Sequence, residues 1–179
     1  LEKIPTVKST SRFHLFPRLK FGYQTDKVGE LAFSYVQRVI RPYGSYLNVF
    51  TDRSDATHIW RGNPDLKDEM IHSIELSYSY ATSVFRLSPS FYYRNKRNRI
   101  MDKVENAGAS GTIWTKENIG HSQTFGFELF GTWQPVRILS IGLSGDIYRD
   151  EIDGRTIGYD EKKSMVCGDI KGSVNISIT

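Results

Sequence analysis

"IELSYSY" (Ile74–Tyr80) decides how this chain folds. Ile74, Leu76, Tyr78 and Tyr80 alternate with Glu75, Ser77 and Ser79. A period of two puts the first set on one side of a strand and the second on the other, whereas a helix would scatter both around its axis. The next run repeats the pattern, with Phe85, Leu87, Phe91 and Tyr93 opposing Arg86, Ser88 and Ser90. "ATSV" (Ala81–Val84) between the two has the length of a turn, so together they read as a hairpin.

Working outward, the same alternation recurs on both sides. Leu15, Pro17, Leu19, Phe21 and Tyr23 oppose Arg18, Lys20 and Gly22; Leu31, Phe33, Tyr35 and Val39 oppose Ala32, Ser34 and Arg38. Downstream, Phe125, Phe127, Leu129 and Trp133 face away from Thr124, Glu128 and Thr132. Leu139, Ile141, Leu143 and Ile147 oppose Ser140, Ser144 and Asp146. The last run sets Val166, Ile170, Val174, Ile176 and Ile178 against Asp169, Lys171, Ser173, Asn175 and Ser177. The expected fold is therefore all-β, an antiparallel up-and-down meander of about seven strands. Pro17 fits the start of a strand, whereas Pro89 calls for a bulge or an edge because it lacks a ladder donor. Gly126, Gly142 and Gly168 let a strand bend or bulge.

The connections alternate in length. "QTDKVG" (24–29), "ATSV" and "QPVR" (134–137) are short; Arg41 to about Lys67, about Met101 to Gly120, and "DEIDGRTIGYDEK" (150–162) are long. Tight turns at one end and long loops at the other characterise outer-membrane barrels. Aromatics crowd the short turns: Tyr23, Tyr78, Tyr80, Phe85 and Trp133. That placement suits a girdle at a membrane interface. A strand of about 10 residues tilted by about 45° rises about 23 Å, which matches the apolar band of such barrels. The alternative is a self-contained soluble barrel or sandwich that turns the same apolar face inward onto a lipid or glycan. Periodicity is common to both; loop asymmetry and aromatic placement favour the membrane.

Composition narrows the classes. The chain has 179 residues, 13% aromatic, with one Cys and a formal charge of +4. No intramolecular disulfide is possible, and so mild a charge does not call for nucleic acid. No apolar run approaches the ~18 residues of a transmembrane helix. The stretch from Leu1 does not read as a signal peptide, and the opening reads as the middle of something longer.

Candidate chemistry is sparse. His14, His58, His72 and His121 are isolated from one another and from Cys or carboxylates at metal-ligand spacing. Aligning Gly154 with the glycine of a calcium loop puts Arg149 at the first ligand position, so Asp150–Glu161 reads as a solvated acidic loop. Cys167 falls on a polar strand face with no base beside it. "YYRNKRNR" (Tyr92–Arg99) mixes rings and cations, and at an outer strand end it suits a solvated or lipid-phosphate-facing rim better than nucleic acid. No nucleophile elbow or phosphate-cradling loop is present, so no enzyme and no cofactor are expected.

"RGNPDLKDE" (Arg61–Glu69) brings a family into view. With Arg41-Pro42, Leu47-Asn48, Asp52, Glu75, Tyr92–Arg94 and Ile100, this stretch resembles the barrel of TonB-dependent outer-membrane receptors, in particular the outer-membrane β-barrel family abundant in Bacteroidetes. The likeness is strongest from about Phe16 to Ile100. Asp68 stands where that family often carries Pro or Trp. Pro64 fixes its own φ and holds Asn63 extended, so the motif reads as a joint that leads a loop back into a strand, with Leu66 as anchor.

The resemblance implies that residues 1–179 are a segment of a large transmembrane barrel, with the plug domain and the remaining strands absent. It implies a bacterial outer-membrane location and a role in uptake of a small-molecule, glycan or peptide substrate. The implied partners are outer-membrane lipid, together with the plug and TonB through the missing N-terminal part. Arg38, Glu75, Arg86, Glu128, Asp146 and Lys171 would then face the lumen or plug. The loop aromatics Tyr43, Tyr46, Trp60 and Trp114 would either contact the ligand or anchor the loops.

Overall fold

A computed structural model of the chain describes residues 11–52, 54, 58–106, 108, 111–153 and 162–176. Seven long strands run in chain order: β1 (Arg18–Thr25), β2 (Gly29–Ile40), β5 (Glu69–Ala81), β6 (Phe85–Asn106), β7 (Thr112–Val136), β8 (Leu139–Asp153) and β9 (Lys162–Ile176). The connection from β2 to β5 holds one helical turn, α1 (Gly44–Leu47), and two short strands, β3 (Thr51–Asp52) and β4 (His58–Arg61). Every long strand pairs antiparallel with the next, as the alternation requires. Ser177 and Ile178, and the acidic loop from Gly154 to Glu161, lie outside the described residues.

The pairing registers line the expected faces up across the whole sheet. One row runs Phe21, Phe33, Leu76, Phe91, Phe127, Ile147, Gly168. The row above it runs Leu19, Tyr35, Ile74, Tyr93, Phe125, Arg149, Val166. One outward position higher the face turns polar: Gln37, His72, Asn95, Gln123, Glu151, Ser164. On β6 the apolar stretch spans about nine residues, Phe85 to Tyr93, close to the ~9–11 that carry a tilted strand across a bilayer. Aromatics mark both borders. Phe85 stands opposite Trp133 at the short-turn end. At the other end Tyr93 and Phe125 meet with ring centroids 4.6 Å apart, a border that the sequence pattern did not single out.

This apolar face is bare. Phe21 is 65% exposed, Phe91 59%, Phe125 50% and Ile170 82%. Among the described residues the buried hydrophobics are Ala32, Leu66 and Tyr92 alone. The accessible surface is 13384 Å², whereas a compact soluble protein of 20.5 kDa exposes roughly 8,900 Å². Within the described residues β1 and β9 each have one neighbour, so the sheet is a single open layer. The closed core on which the soluble alternative depends is not formed by them.

Three local expectations change. Pro89 sits in a central strand without a bulge. Its register with β7 is unbroken at Leu129, and the β5 ladder lapses between Ser77↔Ser90 and Tyr80↔Leu87, then resumes in the same register. The missing N–H thus costs a local gap in one ladder. The irregular pairing falls between Trp133 and Val136, beside the turn, and not at Gly126, Gly142 or Gly168. Gly126 instead makes room for a side chain. A Cβ there would lie 2.1 Å from Tyr92 Cζ, because the Tyr92 ring lies across it on the polar face. Arg94 covers that ring in turn, its guanidinium carbon 4.1 Å from the centroid.

The loop expected from Met101 to Gly120 is a paired arm. β6 and β7 continue together from Arg97↔His121 to Asn106↔Thr112, well past the apolar band. Periodicity missed it because both faces of the arm meet polar surroundings, so no apolar alternation marks it.

Candidate functional site at the outer arm

Residues 61–69 fold against this arm. Gly62 passes so close to Asn48 that a Cβ would fall 2.1 Å from the Asn48 carbonyl oxygen. Asn63 then organises the turn. Its amide donates to Tyr46 O at 2.6 Å, its side-chain NH₂ to Lys116 O at 3.0 Å, and its Oδ1 accepts from Asp65 N at 3.0 Å. Leu66 is 0% exposed. Asn118, on the arm, grips the backbone beyond it. Oδ1 accepts from Lys67 N at 2.7 Å, and Nδ2 donates to Lys67 O at 3.0 Å and Asn98 O at 2.7 Å. Asn98 itself has φ 55°, a left-handed conformation that Asn tolerates better than most residues.

Asp68 is buried and bound by Arg12 and, at 2.6 Å, by His14 Nε2. Arg12 also donates to Leu66 O at 2.7 Å. The departure from the family pattern at Asp68 is therefore matched by Arg12 and His14 from the segment before β1. Glu69 is buried as well, accepting the Ile100 amide at 3.3 Å. The expected joint is a four-way clasp of loop, arm, β5 and the approach to β1.

The loop also carries its aromatics onto the arm. β4 pairs parallel with the start of β7, which sets Trp60 opposite Trp114. Tyr43 and Tyr46, flanking and within α1, meet edge to face at 5.3 Å. Lys116 joins these elements: its Nζ lies 4.9 Å from the Tyr46 ring centre, 5.9 Å from that of Trp60, and 2.6 Å from Asp102 Oδ1. All four expected aromatics thus stand on one outer platform, with Tyr43 the most exposed.

Beside the platform lies a cleft of about 400 Å³ whose lining includes Val49, Asn63, Pro64 and Thr115. Its walls are charged. Lys103 bridges Glu117 at 2.9 Å and Glu105 at 3.3 Å, and Arg61 approaches Glu105 at 3.6 Å. The hydrogen bond to Glu117, then that to Glu105, holds the Lys103 ammonium above its ordinary range. Sequence reading missed Lys103, Glu105, Lys116, Glu117 and Asn118 because an arm without an apolar face reads as a loop. The signal available was the mixed-sign charge of "MDKVEN" and "TKEN" on either side of a Gly-containing tip.

The six residues expected at the lumen share the polar face but do not converge. Glu128 and Asp146 are register partners, with Asp169 next in the row. Lys171 bridges Asp169 at 3.0 Å. Glu75 stands opposite Tyr92, Arg86 near the short turns opposite Ala81, and Arg38 at the outer end opposite Ile71. Cys167 is half-buried on this face opposite Tyr148. Among the described residues no group of His, Cys, Asp and Glu is arranged to hold a metal ion.

A single-layer sheet with lipid-facing rows, two aromatic borders and a charged inner face is the wall of an outer-membrane β-barrel. The profile of the outer membrane protein beta-barrel family matches residues 2–179, and the chain belongs to that family. It is a protein of the bacterial outer membrane.

No curated protein matches the chain in sequence. Among solved structures, the siderophore receptor PirA from Pseudomonas aeruginosa superposes with a TM-score of 0.65 at 12% identity, over 89% of this chain and 34% of that one. The copper transporter OprC gives 0.55 at 11%, over 89% and 31%. At such identities the likeness shows the fold. The chain spans about a third of the length of either structure.

Proposed function

We propose that this chain is part of the wall and outer rim of a TonB-dependent receptor that imports a nutrient too large for open pores. The carrying observation is the two-sided sheet. Its outward rows suit lipid, and its inner face presents Glu75, Glu128, Asp146, Asp169 and Lys171 to an aqueous interior. The edges of β1 and β9, unpartnered among the described residues, support the view that further strands complete the wall, since an open edge in hydrocarbon leaves backbone groups unsatisfied. A plug inside the lumen would meet the six polar residues.

The outer platform is the entry surface in this reading. Tyr43, Tyr46, Trp60 and Trp114 offer ring faces to a sugar or a conjugated chelate, and Lys116 supplies a cation between them. The protein binds and moves its solute without transforming it.

Growth of cells that depend on the whole receptor tests this, with ferric chelates, cobalamin, oligosaccharides and peptides offered in turn. One class is expected to support growth only while TonB is intact, and Trp114→Ala with Tyr43→Ala to raise the concentration required about tenfold. Uptake that persists without TonB overturns the transport reading. Unchanged uptake in the double variant removes the platform from substrate binding.

A further inference from the structure

On the outward face, the polar row above the Tyr93–Phe125 border is followed by Arg97 on β6 and His121 on β7, which are register partners. His72 on β5 stands one row below, opposite Asn95. Arg99 follows two positions along β6. Arg97 is exposed and Arg99 half-buried, and among the described residues neither guanidinium has an ion-pair partner.

The carboxylates around them are already engaged. Asp68 is held by Arg12 and His14, Glu69 by the Ile100 amide, Asp102 by Lys116 and Glu151 by Arg149 at 2.6 Å. Glu151 and the buried Asp153 line one small pocket with His121, so the positive charge left uncompensated on this sector of the rim is that of Arg97 and Arg99. The exposed Arg97 sits two outward rows above the paired lipid-facing rings Tyr93 and Phe125.

Height identifies what they meet. Arg97 lies four residues beyond Tyr93, about 13 Å along the strand and about 9 Å in height at a 45° tilt. The headgroup layer is roughly 5–8 Å deep, and an arginine side chain can bend back toward it while its stem stays on apolar surface. The four-residue offset thus puts the guanidinium at the level of lipid phosphates. Tyr93 over Phe125, and Phe91 over Phe127 at 4.7 Å, form a ring-lined track directly beneath.

We propose that Arg97, with Arg99 reaching back from about 5 Å higher on the strand, forms a binding site for the phosphate of an anionic, phosphorylated outer-leaflet lipid whose acyl chains lie along the Tyr93–Phe125 and Phe91–Phe127 rings. Guanidinium forks suit phosphate oxygens, and the half-desolvated interface strengthens each charged hydrogen bond. The site faces away from the lumen, so it is separate from solute entry and serves to hold the β6–β7 wall beneath the arm in register with the bilayer.

The test uses the whole receptor, purified in detergent, with bis-phosphorylated lipid A, fully dephosphorylated lipid A and inorganic phosphate as probes. Native mass spectrometry reads lipid retention. Wild type is expected to retain the bis-phosphorylated lipid about tenfold better than the dephosphorylated one, and R97Q/R99Q to lose that preference, on the usual scale for two charged contacts. R97K/R99K should restore part of it, and heat-modifiable mobility on gels confirms that each variant still forms the barrel. Equal retention by R97Q/R99Q, equal retention of the dephosphorylated lipid, or displacement by low-millimolar inorganic phosphate each overturns the proposal. Solute uptake is unaffected by any of these outcomes, so failure here leaves the transport reading standing.

Discussion

Leu66→Ala probes whether the loop from β2 to β5 is clamped to the arm by burial or by its hydrogen bonds alone. Leu66 is 0% exposed, at a point where the backbone on either side is held by Asn63 and Asn118. Removing three buried carbons at about 0.8 kcal/mol each forfeits about 2.4 kcal/mol, and a residual cavity adds to this. A surface loop can close part of that gap, so the expected loss is about 2–3 kcal/mol. The loss falls on local opening rather than on the wall, because Leu66 lies outside the paired segments of β1, β2 and β5–β9. Hydrogen exchange on the whole receptor in detergent reads it directly. The amides of Asn63, Leu66 and Lys67 should exchange about 30- to 150-fold faster than in wild type, while those of Phe91 and Phe127 stay protected. Leu66→Met, which keeps the volume, should stay near wild type. Exchange within twofold of wild type would refute burial as the clamp. Loss of protection at Phe91 would show that Leu66 supports the wall itself.

Two further outcomes follow from the same geometry. Gly126→Ala places a Cβ 2.1 Å from Tyr92 Cζ, so the ring must leave its seat; barrel assembly should fall, with a cost of about 1–3 kcal/mol, and Tyr92→Ser in the Gly126→Ala background should recover it, as followed by heat-modifiable mobility. Lys103 has a folded-state pKa raised above the ordinary 10.5 by Glu117 and Glu105. Its contribution is thus complete below 10.5 and fades as pH climbs through the higher folded value. Arm amides should keep constant protection, after correction for intrinsic exchange, from neutral pH to about 10 and lose it only above that, while Lys103→Met removes the dependence. A loss already at about pH 8 would contradict the assigned cause.

Alternation by itself determined the strands and their two faces. Parity set one apolar face apart in each run, and loop lengths with aromatic placement turned that face toward lipid, while Tyr92, Phe130 and Tyr148 fall on the other face by the same parity. Pro17 before β1 and the short turns were legible for the same local reason: φ restriction and turn length act within a few residues. The motif at Gly62–Lys67 was recognisable as a joint, and Leu66 as its anchor, from residue type alone.

What only the tertiary structure decided is how distant segments meet. Asn118 reaching Lys67, Arg12 and His14 reaching Asp68, and Lys116 standing between Tyr46 and Trp60 each join residues some fifty positions or more apart. No period encodes such contacts, because hydrogen bonds and ion pairs between irregular segments depend on where the whole sheet carries them. The arm from Arg97 to His121 escaped for a related reason: with polar surroundings on both sides it has no apolar face to reveal its pleat. Periodicity records which side of a strand meets grease. It is silent wherever both sides meet something polar, and there the fold alone assembles the outer site.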